Sequence, residues 1–569
     1  MQRILRVTSL LVISSAAIAS IGMLGETAKA QRAPANAPAN QTRYHHDIFV
    51  TSDNCIACHS NTIDERGNDV SIGYAWRASM MANSARDPYW HAAVRRETMD
   101  HPQLKSAIED KCATCHMPMA RYTAKAAGGF GEVLSHIAAQ TGAPAGAGAL
   151  PLTPLAMDGV SCTTCHQIKS DNFGTELSFD GGFEIAKPAA NDQRIIVGKY
   201  DIDAGRTSVM RSASGYEPAR SDILQKSELC ATCHTLFTQS YDSSGQPGAV
   251  LPEQVPYLEW RHSSYAETKS CQSCHMPKVA GQAQIASVLG EGRSDVSEHI
   301  FLGGNAFMMR IFAAHRDALG VPATRDELEK AAKRTEQHLA TDAANLTITQ
   351  MALADGVLSF RVNVRNLAGH KLPTAYPSRR AWLHVSVFDP AGREVFSSGS
   401  PRPDGSIEGN DNDADGATFE PHYDIITSGE QVQIYEPVMA TAEGAVTTGL
   451  LRGARYVKDN RILPDGFDKA IAPDDVAVRG AATADSTFVA GGDSVGYRIS
   501  ADPSAGDWRI EARLYYQSIG YRWAQNLKDY DAAEPKRFVS MYDEHAARSH
   551  LLLARTSGSI RGESRPIPE

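Results

Sequence analysis

The sequence predicts an α+β chain. A helical, loop-rich region spans residues 44–342. A C-terminal β-sandwich-like domain with a short helix near its end spans residues 343–569. Three observations predict this. Capped segments of helical period fill the first region between loops. Period-2 alternation of apolar and polar residues begins after Asn345. All ten cysteines of the 569-residue chain lie in the first region, and none lies in the last 294 residues.

The N-terminus reads as a targeting segment. "MQRILRVTSLLVISSAAIAS" places Arg3 and Arg6 before a serine-diluted apolar stretch, and "AKA" at Ala28–Ala30 supplies small residues for cleavage before Gln31. Residues 1–30 are therefore expected to be a secretory signal peptide, against the alternative of an uncleaved anchor. No cysteine stands near the cleavage site to carry a lipid. Residues 31–43, "QRAPANAPANQTR", are low-complexity Ala, Pro and Asn and are expected to form a disordered linker. No later stretch approaches 18 continuous apolar residues, so no membrane span is expected after cleavage.

Within the first region, Asp87 and Pro88 open a helix expected to run through Glu97. "NAFMMRIFAAHRDALG" has the pattern of an amphipathic helix stopping at Gly320. Thr324, with Glu327 three residues on, forms a capping box for a charged helix. "GAPAGAGAL" (Gly142 to Leu150) is a loop. In the second region "LSFRVNVRN", "AWLHVSVFD" and "DWRIEARLYYQ" alternate as half-buried strands do. "DPAGRE" is a hairpin-like turn after the second, and a helix is expected near Glu534 to Ala547.

The cysteines carry the chemistry. All ten fall in five copies of C-x-x-C-H: Cys55/Cys58/His59, Cys112/Cys115/His116, Cys162/Cys165/His166, Cys230/Cys233/His234 and Cys271/Cys274/His275. With 19 histidines in 569 residues, chance would put one behind all five pairs only roughly a few times in a hundred million. The pattern is that of covalent haem attachment. Two thiols add to the vinyl groups, and the histidine behind them ligates the iron. Zinc ribbons pair two C-x-x-C units some 15–20 residues apart, whereas these motifs begin 57, 50, 68 and 41 residues apart. Redox-active dithiols would not need a histidine behind each pair. Five covalently attached haem c groups are expected. About 60 residues per haem leave too little protein for an ordinary core, so the macrocycles should form much of the interior. Export agrees, because exported thiols left free tend to oxidise.

On "DGVSCTTCHQI", "SELCATCHTLF", "CATCHMPM", "CQSCHMPK" and "HIFLGGNAF", the chain resembles multihaem c-type cytochromes of the cytochrome c-554 type, relatives of hydroxylamine oxidoreductase and pentahaem nitrite reductase. The resemblance covers roughly Asp53 to Phe307. It implies an exported, periplasmic electron carrier in which the helical, loop-rich region is a multihaem cytochrome c domain. Pentahaem nitrite reductases typically have lysine for histidine at the catalytic haem; here all five motifs end in histidine. "NLAGHKLPTAYPSRRAWLHV" looks like a domain appended to such cytochromes.

The second axial ligand decides between carrier and enzyme. Between His45 and His338 stand 14 histidines; with five proximal, nine remain for five irons. His299, before "FLGGN", is the first distal candidate, and the resemblance points to it too. His91, His46 and His136 are further candidates, each against an ordinary packed or loop histidine. His315 reads as core packing, His338 as solvated, and Met80 and Met81 as core filling. His370, in "LAGHKLPT", reads as a surface loop histidine unless the β domain covers the haems.

Asp411, Asp413 and Asp415 alternate before Gly416 like the first half of a calcium loop, but His422 stands where the bidentate glutamate belongs. Calcium is a candidate cofactor there, against a solvated acidic loop. No nucleophilic triad, phosphate loop or H-E-x-x-H motif is convincing.

The net charge is −10; residues 1–30 carry a net +2, which leaves −12 for the rest. Nucleic acid and anionic membranes are poor partners for such a chain, and a basic redox partner protein suits it. The expectation is electron transfer through closely packed haems. The alternative is an oxidoreductase of small nitrogen or sulfur compounds with one open iron. In a third reading the β domain docks the cytochrome on a partner.

Overall fold

Helix and sheet occupy successive stretches of the chain, and the C-terminal segment then returns to the helices. The computed structural model describes residues 48–141, 151–186, 188, 193–242, 244–501 and 506–562, all within one compact unit, Asn40–Glu569. The expected signal peptide and linker, His46 and the expected loop Gly142 to Leu150 lie outside the described residues.

Local signals place the helices. Asp87 accepts hydrogen bonds from the Tyr89 and Trp90 amides and Pro88 fills the first position of the helix Pro88–Asp100. Thr324 and Glu327 form a complete capping box on the helix Arg325–Asp342. The helix Ala306–Ala314 ends six residues before Gly320, the stop expected from the sequence. His315 leaves the helical conformation, and the following turn brings Gly320 to φ +62°. Short strands unforeseen in this region pair Leu236–Tyr241 with Pro247–Gln254, Arg194–Gly198 with Tyr216–Arg220, and Gln282–Gln284 with Gly292–Ser294.

The later strands are β1 (Ala344–Ala354), β2 (Val357–Asn366), β3 (Arg380–Phe388), β4 (Glu394–Ser398), β5 (Ile425–Ile426), β6 (Ile434–Tyr435), β7 (Gly492–Ser500), β8 (Gly506–Gln517) and β9 (His550–Gly562). One sheet runs β4-β3-β8-β9 with β6 also on β3; the other runs β5-β7-β2-β1. Their apolar faces share one core. Phe360 and Val362 of β2 and Val495 and Tyr497 of β7 meet Leu383 and Val385 of β3 and Ile510 and Leu514 of β8. The alternation read in β2, β3 and β8 is the inward half of this core. β3 is buried on both faces, because Ile407, Val432 and Ile434 cover Trp382 on its other side.

The helix Ala533–His545 carries the chain back. Phe538 packs on Tyr89 and Tyr542 on Phe307, with ring centres 5.1 and 5.6 Å apart. Arg95 makes a bidentate pair with Glu534 at 2.8 and 2.9 Å. Glu97 accepts from the Leu450 and Leu451 amides. No described helix is long and apolar enough to cross a membrane.

Candidate haem-binding sites

Each C-x-x-C-H motif starts on a helical turn. The turns are Asp53–Ile56, the end of Lys105–His116, Cys162–Cys165, Ser227–Ala231 and Cys271–His275. In three of them the histidine amide bonds back to the first cysteine carbonyl: His59 to Cys55 at 2.9 Å, His166 to Cys162 at 3.1 Å and His234 to Cys230 at 2.9 Å. Helical period then puts the two thiols, three residues apart, and the imidazole on one face. All ten cysteines are free of disulfides.

The imidazoles are held in one tautomer. A backbone carbonyl only accepts, so a ring nitrogen facing one carries the proton. Nδ1 of His59 donates to Ile285 O at 2.7 Å, that of His116 to Ser84 O at 3.0 Å, and that of His166 to Val197 O at 2.7 Å. Nδ1 of His275 donates to Leu302 O. Each thereby leaves Nε2 as a bare lone pair, the form that ligates a metal and is oriented from behind. Burial lowers the His116 and His275 imidazoles to about 4, and lowers those of His59 and His166 as well, which favours the neutral rings. The indole of Trp90 lies flat against His116, 4.3 Å away and 2° from parallel.

Two of these imidazoles face a second one. His166 and His299 have ring centres 6.4 Å apart and planes 10° from parallel; His275 and His370 are 6.2 Å apart at 13°. Metal–imidazole bonds of about 2.0–2.1 Å on opposite sides of one ion put the ring centres about 6.3 Å apart. The donor sets therefore fit an iron between them. His299 and His370 share the tautomer of the motif histidines: their Nδ1 atoms face Ser297 O at 3.1 Å and Lys371 O at 2.9 Å. The loop carrying His299 also contacts the fifth motif, because the Leu302 amide donates to His275 O at 3.0 Å. Among the described residues, His59, His116 and His234 have no such parallel imidazole.

His370 is the functional candidate that sequence reasoning undervalued. Its loop is clamped. The His370 carbonyl accepts from Asn366 Nδ2 at 2.8 Å, Gly369 lies against Trp260 and Tyr265, and the Tyr265 hydroxyl donates to Leu367 O at 3.2 Å. The next residue, Lys371, is fully buried and pairs with Asp459 at 2.7 Å; Arg461 joins Asp459 and Glu259, both at 2.8 Å. Glu259 belongs to the helix Pro256–Arg261, so a buried ionic network fastens the β-region loop to the helical region. The only sequence signal was a glycine before the histidine in a loop leaving a strand.

The other candidates are placed as follows. His91 is buried and donates from Nε2 to Ala85 O at 2.8 Å, which leaves its buried Nδ1 without a partner. His136 is buried, with Nδ1 on the Thr153 hydroxyl at 3.0 Å. His315 is not in the core but at a helix end facing Glu544 at 3.4 Å, and His338 is half-buried and paired with Asp342 at 2.9 Å. Met80 packs at the edge of the core around Phe307. Asp411, Asp413 and Asp415 do not converge. Residues Asp411–Ala414 form a helical turn, Asp413 is spent on a buried bidentate pair with Arg380 at 2.8 and 3.0 Å, and Asp415 accepts from the Ala417 amide. His422 points away from them, with Nε2 on Asp485 at 3.0 Å and Nδ1 accepting from Gln433 and Asn460.

The five motifs form a contiguous cluster. Cys55 interacts with Cys162, Cys115 with Cys233, and Cys230 with Cys271; Cys165 lies near Cys233. His59 neighbours His166, and His234 neighbours both His116 and His275. The spatial order is first, third, fourth, with the second and fifth motifs both on the fourth.

The ten cysteines, equivalent in the sequence pattern, are not equivalent in space. Cys112 packs on the core around Trp90 and Val94, and burial pushes its thiol up. Cys274 is exposed, whereas the other nine cysteines are half-buried. Cys58 stands beyond the short turn Asp53–Ile56, with its amide on Cys55 O at 3.1 Å and its carbonyl accepting from the Ser287 amide at 2.8 Å. Cys274 Sγ has the Ser273 hydroxyl 3.9 Å away at the surface. Each still sits one helical turn from its partner thiol, the spacing that attachment needs.

No protein-family description matches the chain, and no curated protein matches it. Among solved structures it is similar to a penta-heme cytochrome c552 from Thermochromatium tepidum. The sequence identity is 15%, the match covers 91% of this chain and 100% of that chain, and the TM-score is 0.49.

Proposed function

We propose that this chain is an exported multihaem c-type cytochrome that carries five covalent haems and passes electrons among them. The observation that carries the reading is the clustering of the five C-x-x-C-H motifs: each has a cysteine neighbouring a cysteine of another motif, so haems attached there would be grouped for electron exchange. Haem iron supplies reversible one-electron chemistry. The protein supplies thiols for attachment, neutral imidazoles with Nε2 free, and a buried setting that tunes potential. Cys58 and Cys274 would complete the attachment at the first and fifth motifs.

His299 is the second ligand for the haem of the third motif and His370 for that of the fifth. His46, His91 and His136 serve the remaining irons, with His91 binding through Nδ1 because its Nε2 proton is committed to Ala85. The acidic mature chain, without its N-terminal segment, suits a basic redox partner in the periplasm.

Carbon monoxide tests the carrier reading against an oxidoreductase with an open iron. The reduced protein should bind almost none, and the oxidised protein should be low-spin throughout. Binding near one per chain with a matching high-spin signal, together with turnover of a small nitrogen or sulfur compound, would replace the carrier with the enzyme.

A further inference from the structure

Two helix ends meet away from the haem motifs. The helix Ala306–Ala314 is followed by His315, and the helix Ala533–His545 ends on Glu544 and His545. Beneath them Phe307, Ile311, Phe312, Phe538, Met541 and Tyr542 share one buried core. The two ends are therefore fixed by apolar packing rather than by the polar groups they carry.

The polar groups are arranged unlike a hydrogen-bonded triad. His315 Nε2 stands 3.4 Å from one Glu544 oxygen and His545 Nε2 3.8 Å from the other, with the rings edge to face at 5.4 Å. The three ligand atoms lie within 4.8 Å of one another. Good N–H···O bonds are about 2.7–3.2 Å long. Both Nε2 atoms are shielded from water and make no hydrogen bond. Ligand bonds of about 2.0–2.2 Å in tetrahedral array, by contrast, put neighbouring donor atoms about 3.3–3.6 Å apart. The spacing is close to the edge of a coordination tetrahedron.

We propose that His315, Glu544 and His545 bind a divalent zinc-class cation, with Zn²⁺ as the ion. Two imidazoles and a carboxylate are borderline donors that suit it. A pocket of about 260 Å³ opens beside His315, lined by Ala314, Arg316, Asp317 and Arg325. None of the three residues belongs to a C-x-x-C-H motif or to a facing imidazole pair, so the site does not depend on the haem reading. The bound ion would cross-link the helical region to the C-terminal helix.

Zinc titrated calorimetrically into the purified, haem-loaded full chain without a polyhistidine tag tests this. Saturation at one ion per chain is expected, with a rise in unfolding temperature. His315→Ala and His545→Ala should each weaken binding about 10–100-fold and abolish that rise, and Glu544→Gln should weaken it about tenfold. The haem spectrum should be unchanged, which reports that each variant is folded; should an alanine variant misfold, His545→Gln replaces it. Absence of saturable binding, or equal affinity in the folded variants, overturns the site.

Discussion

The imidazoles of His275 and His370 face each other with ring centres 6.2 Å apart and planes 13° from parallel, although 95 residues separate them in sequence. One ring belongs to the last haem motif and the other to a loop of the β-region. If both ligate one iron, that region closes over the haem array and becomes part of it.

His370→Ala should therefore convert one haem from low to high spin and leave the other four unchanged. His299→Ala should do the same to a different haem. His370→Met should keep six-coordination and raise that haem's potential, since a thioether favours reduced iron. Electron paramagnetic resonance and a redox titration read both effects. An unchanged spectrum in folded His370→Ala would exclude the ligand.

The Lys371–Asp459–Arg461–Glu259 network holds the His370 loop from behind. Burial works against the Asp459 carboxylate, but Arg461 and Lys371 outweigh it and hold it well below the ordinary range. A carboxyl depressed by folding stabilises the protein above its unfolded value of about 3.9, and loses that contribution as pH falls toward the folded value. Wild-type unfolding should steepen below about pH 4. Asp459→Asn should cost about 3–5 kcal/mol near neutrality, as loss of one partner in a buried ionic network does. It should remove that part of the acid dependence and loosen the haem served by His370. Urea unfolding at several pH values measures the first two effects.

Asp413 is committed to Arg380, and both side chains are almost fully buried, at 3% and 4% exposure. Asp413→Ala should destabilise the protein by about 3–5 kcal/mol, because it strands a buried guanidinium. Excess calcium or a calcium chelator should leave the wild-type melting temperature where it is. A calcium-dependent rise abolished by Asp413→Ala would restore the calcium reading.

What was legible in the sequence was local. Asp87, Pro88, Thr324 and Glu327 act within one helical turn, and each cap formed where the residues placed it. The alternation marked half-buried strands in β2 and β8, because period 2 is a property of the strand itself; it did not reveal that Ile407, Val432 and Ile434 cover the second face of β3. Sheet order was not legible: β8 inserts between β3 and β9 across more than a hundred residues of intervening chain, and no short pattern encodes that. The C-x-x-C-H motifs were legible because attachment needs fixed spacing. Their environment was not: nothing in the motif separates the exposed Cys274 from the nine half-buried cysteines. A partner that comes from a distant segment need only arrive in space, so nothing local in the sequence brings His370 to face His275, and the alternating aspartates resemble a calcium loop although Asp413 pairs with Arg380.

The covalent haem count tests the central claim most directly. Intact mass of the mature, purified chain, with the alkaline pyridine haemochrome absorbance per chain, should give five haems that resist acid–organic extraction. All ten cysteines should be blocked to alkylation, including the exposed Cys274, which a reagent would reach first. A fully matured chain carrying three haems or fewer, with free thiols in the remaining motifs, would contradict the account.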